Sequence, residues 1–170
     1  MATPQSVDFD LGWALGTVMR SYLRTAGEAV ADLPGGPRGY QVLSVANSGE
    51  AQSQLALAQH LGVDRTVMTY LLDDLEAAGL LERKPDPTDR RARRIVLTEA
   101  GLGRLCELER RLRDTEESLL HALEPEEREL FRGLLRRLAV ACGEHSADAC
   151  SVAADLQAQD TVSVRGRRKR

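Results

Sequence analysis

"SQLALAQHLGVDRTVMTYLLDDLEAAG", residues 53–79, is two helical patterns joined at one glycine. Ser53 suits an N-cap, and Leu55, Ala58 and Leu61 follow at helical steps, which predicts a short helix burying those three side chains. Gly62 permits a tight turn and Val63 can plug the corner. Asp64 then caps a second helix. In it Met68, Leu71, Leu72 and Leu75 fall at i, i+3, i+4 and i+7, the spacing of an inward stripe. Thr66, Thr69, Tyr70 and Asp73 repeat that spacing on a polar face. Gly79 ends the helix as glycine commonly does. Helix, short glycine-containing turn, helix is the helix-turn-helix arrangement, which alone is weak evidence of function.

The next residues add a second unit. "LLERK" (80–84) and "RRIVL" (93–97) predict two short strands. Pro85 and Pro87 keep the segment between them irregular. The result is a β-hairpin with a basic tip, a wing. The chain as a whole is mildly acidic, with a formal net charge of -3. Its charge is nevertheless segregated: residues 83–94 hold six bases and two acids, while 64–76 hold four acids and one arginine. A local basic patch is what phosphate binding requires, whatever the global sign.

Longer helices flank this unit. From residue 8 to about 32, Leu11, Leu15, Val18, Tyr22 and Ala26 recur at three- and four-residue steps, widened by Met19 and Leu23. "DLPGGPRG" breaks that helix, and a second spans about 38–47 with Val42, Leu43 and Ala46 on one side. Thr98 caps a helix over about 99–123, in which Leu105, Leu112 and Leu119 repeat every seven residues, a seam for helix-to-helix association. Pro125 begins a last helix, with Leu130, Phe131, Leu134, Leu135, Leu138 and Cys142 as its apolar side. Periodicity fades after Gly143, and residues 148–170 are expected to form a disordered basic tail. The fold class is mainly α with a small β-hairpin (α+β), in one unit over residues 8–147.

Composition agrees with that class. The chain has 170 residues, suited to one domain, and 42% of them are hydrophobic but only 4% aromatic. Its core must therefore come from Leu, Val and Ala, which favours helices. No apolar run reaches the ~18–20 residues that span a bilayer, and the N-terminus lacks the pattern of a signal peptide. No membrane association and a cytoplasmic location are expected. Three cysteines, Cys106, Cys142 and Cys150, imply no disulfide framework, and the first two read as small core residues. Cys142, His145 and Cys150 match no strong zinc spacing, so neither metal nor cofactor is expected. There is no glycine-rich phosphate loop, nucleophile motif or His/carboxylate constellation, so the chain is not expected to be an enzyme.

The stretch "LAQHLGVDRTVMTYLLDDLEAAGLLERKPDPTDRRARRIVLTEAG" (57–101) resembles the MarR (multiple antibiotic resistance regulator) family of winged helix-turn-helix transcription factors. It carries D-x-L-x-x-x-G-L, then E-R, D-P-x-D-x-R and a strand ending in L-T-x-x-G, in order. The likeness extends over roughly residues 10–142. It implies a winged helix over about 38–98 and a homodimer built by helices at about 8–32 and 99–142. It also implies double-stranded DNA with two half-sites as partner, and often a small aromatic or phenolic effector that releases the DNA. An activator, or a winged-helix protein-interaction module without DNA binding, is the alternative.

The resemblance also assigns roles. Arg65, Thr66, Thr69 and Tyr70 on the second helix are candidates to face base edges in the major groove. Relatives commonly place Arg where Tyr70 and Asp74 stand, so the resemblance does not carry their operator sequence over to this chain. A bland alternative puts Tyr70 partly buried beneath the wing. Ser53 and Gln54 are placed for phosphates at a helix N-terminus, and Arg83 and Lys84 lead into the wing and also meet phosphates. At the tip, Arg91 probes the minor groove, Asp89 orients it and Arg90 flanks it. Arg93 and Arg94 point to opposite sides of the strand, so at most one of them is expected to face DNA, with Asp73 or Glu82 as the candidate partner of the other. Trp13, Tyr22 and Tyr40 are candidates to line an effector cavity.

Overall fold

The computed structural model describes residues 10–50, 53–86 and 93–142. In chain order it comprises α1 (Leu11–Ala29), α2 (Pro37–Ser48), α3 (Gln54–His60), α4 (Arg65–Ala77), β1 (Leu81–Pro85), β2 (Arg93–Leu97), α5 (Glu99–Leu119), a single 3-10 turn and α6 (Pro125–Ala141). The strands pair antiparallel, with Leu81 opposite Leu97 and Pro85 opposite Arg93. Pro85 thus closes β1 rather than opening the irregular segment, and the end of a two-stranded ribbon tolerates a residue without an N–H.

The expected caps are present. Ser53 Oγ accepts from the Ala56 N–H at 3.1 Å, Asp64 from the Thr66 N–H at 2.7 Å, and Thr98 from the Gly101 N–H at 2.9 Å. Gly79 follows α4 with a φ of 72°, a left-handed conformation that glycine adopts without cost. α1 begins at Leu11 on an Asp10 cap and stops at Ala29, because Val30 and Leu33 turn inward into the core.

One core joins α2, α3, α4, the hairpin and α5, and takes in the C-terminal end of α1. Met68, Leu71, Leu72 and Leu75 are all buried in it, as their spacing predicts. The expectation for α3 needs a correction: Leu57, Ala58 and Leu61 are buried, but Leu55 is exposed. At 3.6 residues per turn Leu55 lies about 200° around the helix from Leu57, on the far side. The heptad seam of α5 also finds its partner within the chain. Leu105, Leu108 and Leu112 are buried in the shared core, where α5 lies against α1 and α2. Cys106 and Cys142 are exposed, not core residues. Cys106 is one step, about 100°, off the Leu105 stripe, and Cys142 follows a helix that buries nothing. His145 and Cys150 lie outside the described residues.

Two apolar surfaces stay uncovered. No residue of α6 is buried, and Leu130, Phe131, Leu134, Leu135 and Leu138 are all exposed. In the first half of α1, Leu11, Leu15, Val18 and Met19 are exposed as well. Behind them the link between α1 and α2 is clamped to α5. Asp32 lies 2.7 Å from the Arg104 guanidinium and 3.1 Å from that of Arg111, while Glu107 holds the same two arginines at 2.6 and 2.5 Å. Hydrogen bonds from Arg104 and then Arg111 hold the Asp32 carboxyl below the usual carboxylate range. Where α5 starts, backbone meets backbone: a β-carbon on Gly101 would stand 1.8 Å from the Leu80 carbonyl oxygen.

Candidate nucleic-acid interface

α3 and α4 meet at Gly62, whose φ of 60° reverses the chain within one residue. The turn leaves the first half of α4 open to solvent on its outer side. Asp64 accepts from both the Thr66 and Val67 N–H groups, and those bonds hold its carboxyl below its ordinary value. Arg65, Thr66, Val67 and Tyr70 are exposed, and Thr69 is half-buried. Tyr70 is 67% exposed, so it is not tucked beneath the wing.

Two of the sequence candidates are brought into direct contact. Gln54 Nε2 donates to Thr69 Oγ1 at 2.7 Å, and the Thr69 hydroxyl donates to the Arg65 carbonyl at 2.9 Å. The side chain that enters α3 is therefore fixed against the middle of α4. Ser53 caps α3 and also forms an isolated antiparallel bridge to Arg94 of β2, so the same residue ties α3 to the hairpin.

The sequence sends the Arg83 guanidinium to a phosphate, but it is engaged elsewhere. It bonds to Glu76 and lies 2.6 Å from Asp73, and the Arg83 backbone N–H donates to Glu76 at 3.1 Å. Lys84 lies 2.5 Å from Glu82. The two acids offered to Arg93 or Arg94 are thus taken by Arg83 and Lys84. Asp73 and Asp74 are exposed on the second half of α4, so its positive N-terminal end and its acidic end differ in what they can approach. Arg83 offsets part of that acidity. Asp89, Arg90 and Arg91, the tip of the hairpin, lie outside the described residues.

The three aromatics sit in different surroundings. Tyr40 is buried in the core, Tyr22 packs against it, and Trp13 is exposed near the start of α1. An open hollow of about 460 Å³ instead lies between the end of α1 and the start of α2, lined by Leu23, Arg24, Gly27, Glu28, Ala31, Gly36 and Pro37. Its sequence signal is small residues, Gly27, Ala31 and Gly36, that leave room rather than fill it. Among the described residues no group of three or more His, Cys, Asp or Glu could hold a metal ion. No described helix is long and apolar enough to cross a membrane.

Residues 37–92, which hold α2 to α4 and β1, match the MarR family. The winged helix belongs to the MarR family. Solved structures agree with the fold on both sides of that segment. The wild-type MarR protein from E. coli, in its apo form, is 24% identical with a TM-score of 0.63, covering 76% of this chain and 97% of its own. The transcriptional repressor CouR, bound to a 23-mer DNA duplex, is 25% identical with a TM-score of 0.59, over 82% and 99%. The MarR-family protein Rv2887 of Mycobacterium tuberculosis, in complex with p-aminosalicylic acid, is 22% identical with a TM-score of 0.60, over 77% and 99%. Over residues 37–92 the chain is thus similar to MarR-family proteins, and its fold is theirs over most of its length. Val67, open beside Tyr70, was not singled out by the sequence reading of this MarR-type recognition helix. Its signal is position: it falls three residues before Tyr70, off the inward stripe.

Proposed function

We propose that this chain is a homodimeric repressor that grips double-stranded DNA at two half-sites and lets go when a small aromatic or phenolic effector binds. The observation that carries the reading is the solvent-facing first half of α4, set beside a hairpin whose tip sequence is rich in arginine. A helix so presented enters the major groove while a wing follows the adjacent backbone. In this reading Arg65, Thr66 and Tyr70 meet base edges, Gln54 and Ser53 meet phosphates at the start of α3, and Lys84 meets the backbone. Arg91, aimed by Asp89 and flanked by Arg90, probes the minor groove. Arg83 acts as a brace between wing and helix. The bare apolar faces of α1 and α6 favour a second copy of the chain, since monomers seldom expose such surfaces. The hollow between α1 and α2 is the candidate effector site in place of the three aromatics, and the ligand of Rv2887 gives its chemical class.

Footprinting with duplex from the chain's own promoter region, at two salt concentrations, tests this. The expected result is specific protection that weakens steeply with salt, in two patches about one helical turn (~34–36 Å) apart. Absence of protection on any genomic fragment would favour the protein-interaction alternative.

A further inference from the structure

Val67 and Tyr70 stand three residues apart on the outer face of α4, 55% and 67% exposed. Thr66, four residues before Tyr70, is exposed beside them and adds a methyl group. The helix packs through Met68, Leu71, Leu72 and Leu75, so this outer apolar surface has no part in burying it.

The polar groups nearby are poorly suited to guanine. Guanine presents two acceptors, N7 and O6, to the major groove and is best met by a forked Arg or by Lys. The only basic side chain of α4 is Arg65, at its first position, whereas Asp73 and Asp74 on the later turns offer acceptors alone. Thr69 already donates its hydroxyl hydrogen to the Arg65 carbonyl and accepts from Gln54. It is a positioning residue for Gln54 rather than a reader. Thymine, by contrast, presents a C5-methyl that apolar side chains recognise by contact.

We propose that Val67, Tyr70 and the Thr66 methyl read thymine C5-methyl groups, so that the half-site is A·T-rich where the middle of α4 lies in the major groove. The proposal rests on the duplex-binding function above. It makes Val67 a specificity-determining residue. Because the methyl lies only in the major groove, the wing does not contribute to it.

The test uses the full chain and duplexes selected from a randomised library at fixed salt. The best duplex is resynthesised with deoxyuridine for thymine, which pairs identically and lacks only the methyl. Each contacted methyl lost should weaken binding about fourfold, and two in a half-site more than tenfold, from the transfer free energy of one buried carbon. Val67→Ala and Tyr70→Ala lie on exposed positions and should fold normally, yet bind the two duplexes nearly alike. Specific, salt-sensitive binding that ignores the deoxyuridine exchange overturns the proposal and leaves duplex binding standing. So do selected half-sites that are G·C throughout the α4 footprint. An exchange effect that persists undiminished in both variants overturns the assignment to these residues. Enrichment of no duplex at all removes the duplex-binding reading, and this one with it.

Discussion

Arg83 of the first strand is bound by Glu76 of the recognition helix twice, through its backbone N–H and through its guanidinium. A hairpin of two five-residue strands has little stability of its own. Its orientation on α4 therefore depends on such ties. Glu76→Ala is expected to lower stability by about 1–2 kcal/mol, the cost of stranding a part-buried donor. Glu76→Gln keeps an acceptor and should recover part of the loss. Urea denaturation measures both, and amide exchange at Arg83 should quicken in the alanine variant.

Gly101 and Gly103 share α5 but face different surroundings. A β-carbon at Gly101 meets the Leu80 carbonyl at 1.8 Å, whereas one at Gly103 meets nothing within 4 Å. Gly101→Ala should destabilise by about 1–3 kcal/mol or more, because backbone rather than a flexible side chain must move. Gly103→Ala should stabilise by about 0.5–1 kcal/mol, the helix preference of Ala over Gly. Thermal melts of the two variants should move in opposite directions.

The Asp32 clamp predicts a pH dependence of definite sign. Arg104 and Arg111 lower the carboxyl groups of both Asp32 and Glu107 in the folded chain. A carboxyl lowered on folding stabilises above its unfolded value and loses that contribution as pH falls through the folded one. Asp32→Asn should therefore be less stable than the parent at neutral pH, with the gap closing as the pH drops below the usual carboxylate range. Added salt should narrow it too, since the groups are exposed. Denaturation midpoints at several pH values and two ionic strengths check this.

Leu134 and Leu138 sit one turn apart on the bare face of α6, 46% and 63% exposed. Neither is buried within the chain, so Leu134→Glu and Leu138→Glu should leave the fold of one copy intact. If α6 meets a second copy, each change should weaken association about a hundredfold, equivalent to roughly 2–3 kcal/mol at a buried anchor. Sedimentation should then show monomer with unchanged helical content. A persisting dimer would move the interface away from α6.

What the sequence discloses here depends on how local the cause is. Met68, Leu71, Leu72 and Leu75 were legible because thirteen residues of α4 give the 3.6-residue period room to repeat. Ser53, Asp64 and Thr98 were legible because a cap bonds within three residues of itself. Leu55 and Leu57 were not told apart because α3 has only seven residues, too few for its phase to be read. The partner of Arg83 depends on how the hairpin docks against α4, a non-local fact that neither segment states alone. The leucines of α5 announced association without saying that α1 of the same chain would answer. The hollow by Gly27, Ala31 and Gly36 was overlooked because absent side chains leave no hydrophobic signal.

At Gly101 and Leu80 two main chains touch with no side chain interposed, and the Thr98 hydroxyl bonds across the same seam to the Gly79 carbonyl at 2.6 Å. Side chains elsewhere can hop between rotamers and absorb small displacements, whereas carbonyls and α-carbons in contact cannot. The foot of α5 is thus geared to the end of the recognition helix without slack. A side chain larger than hydrogen at position 101 would have to part the two main chains and so shift the foot of α5 away from the residues that end α4.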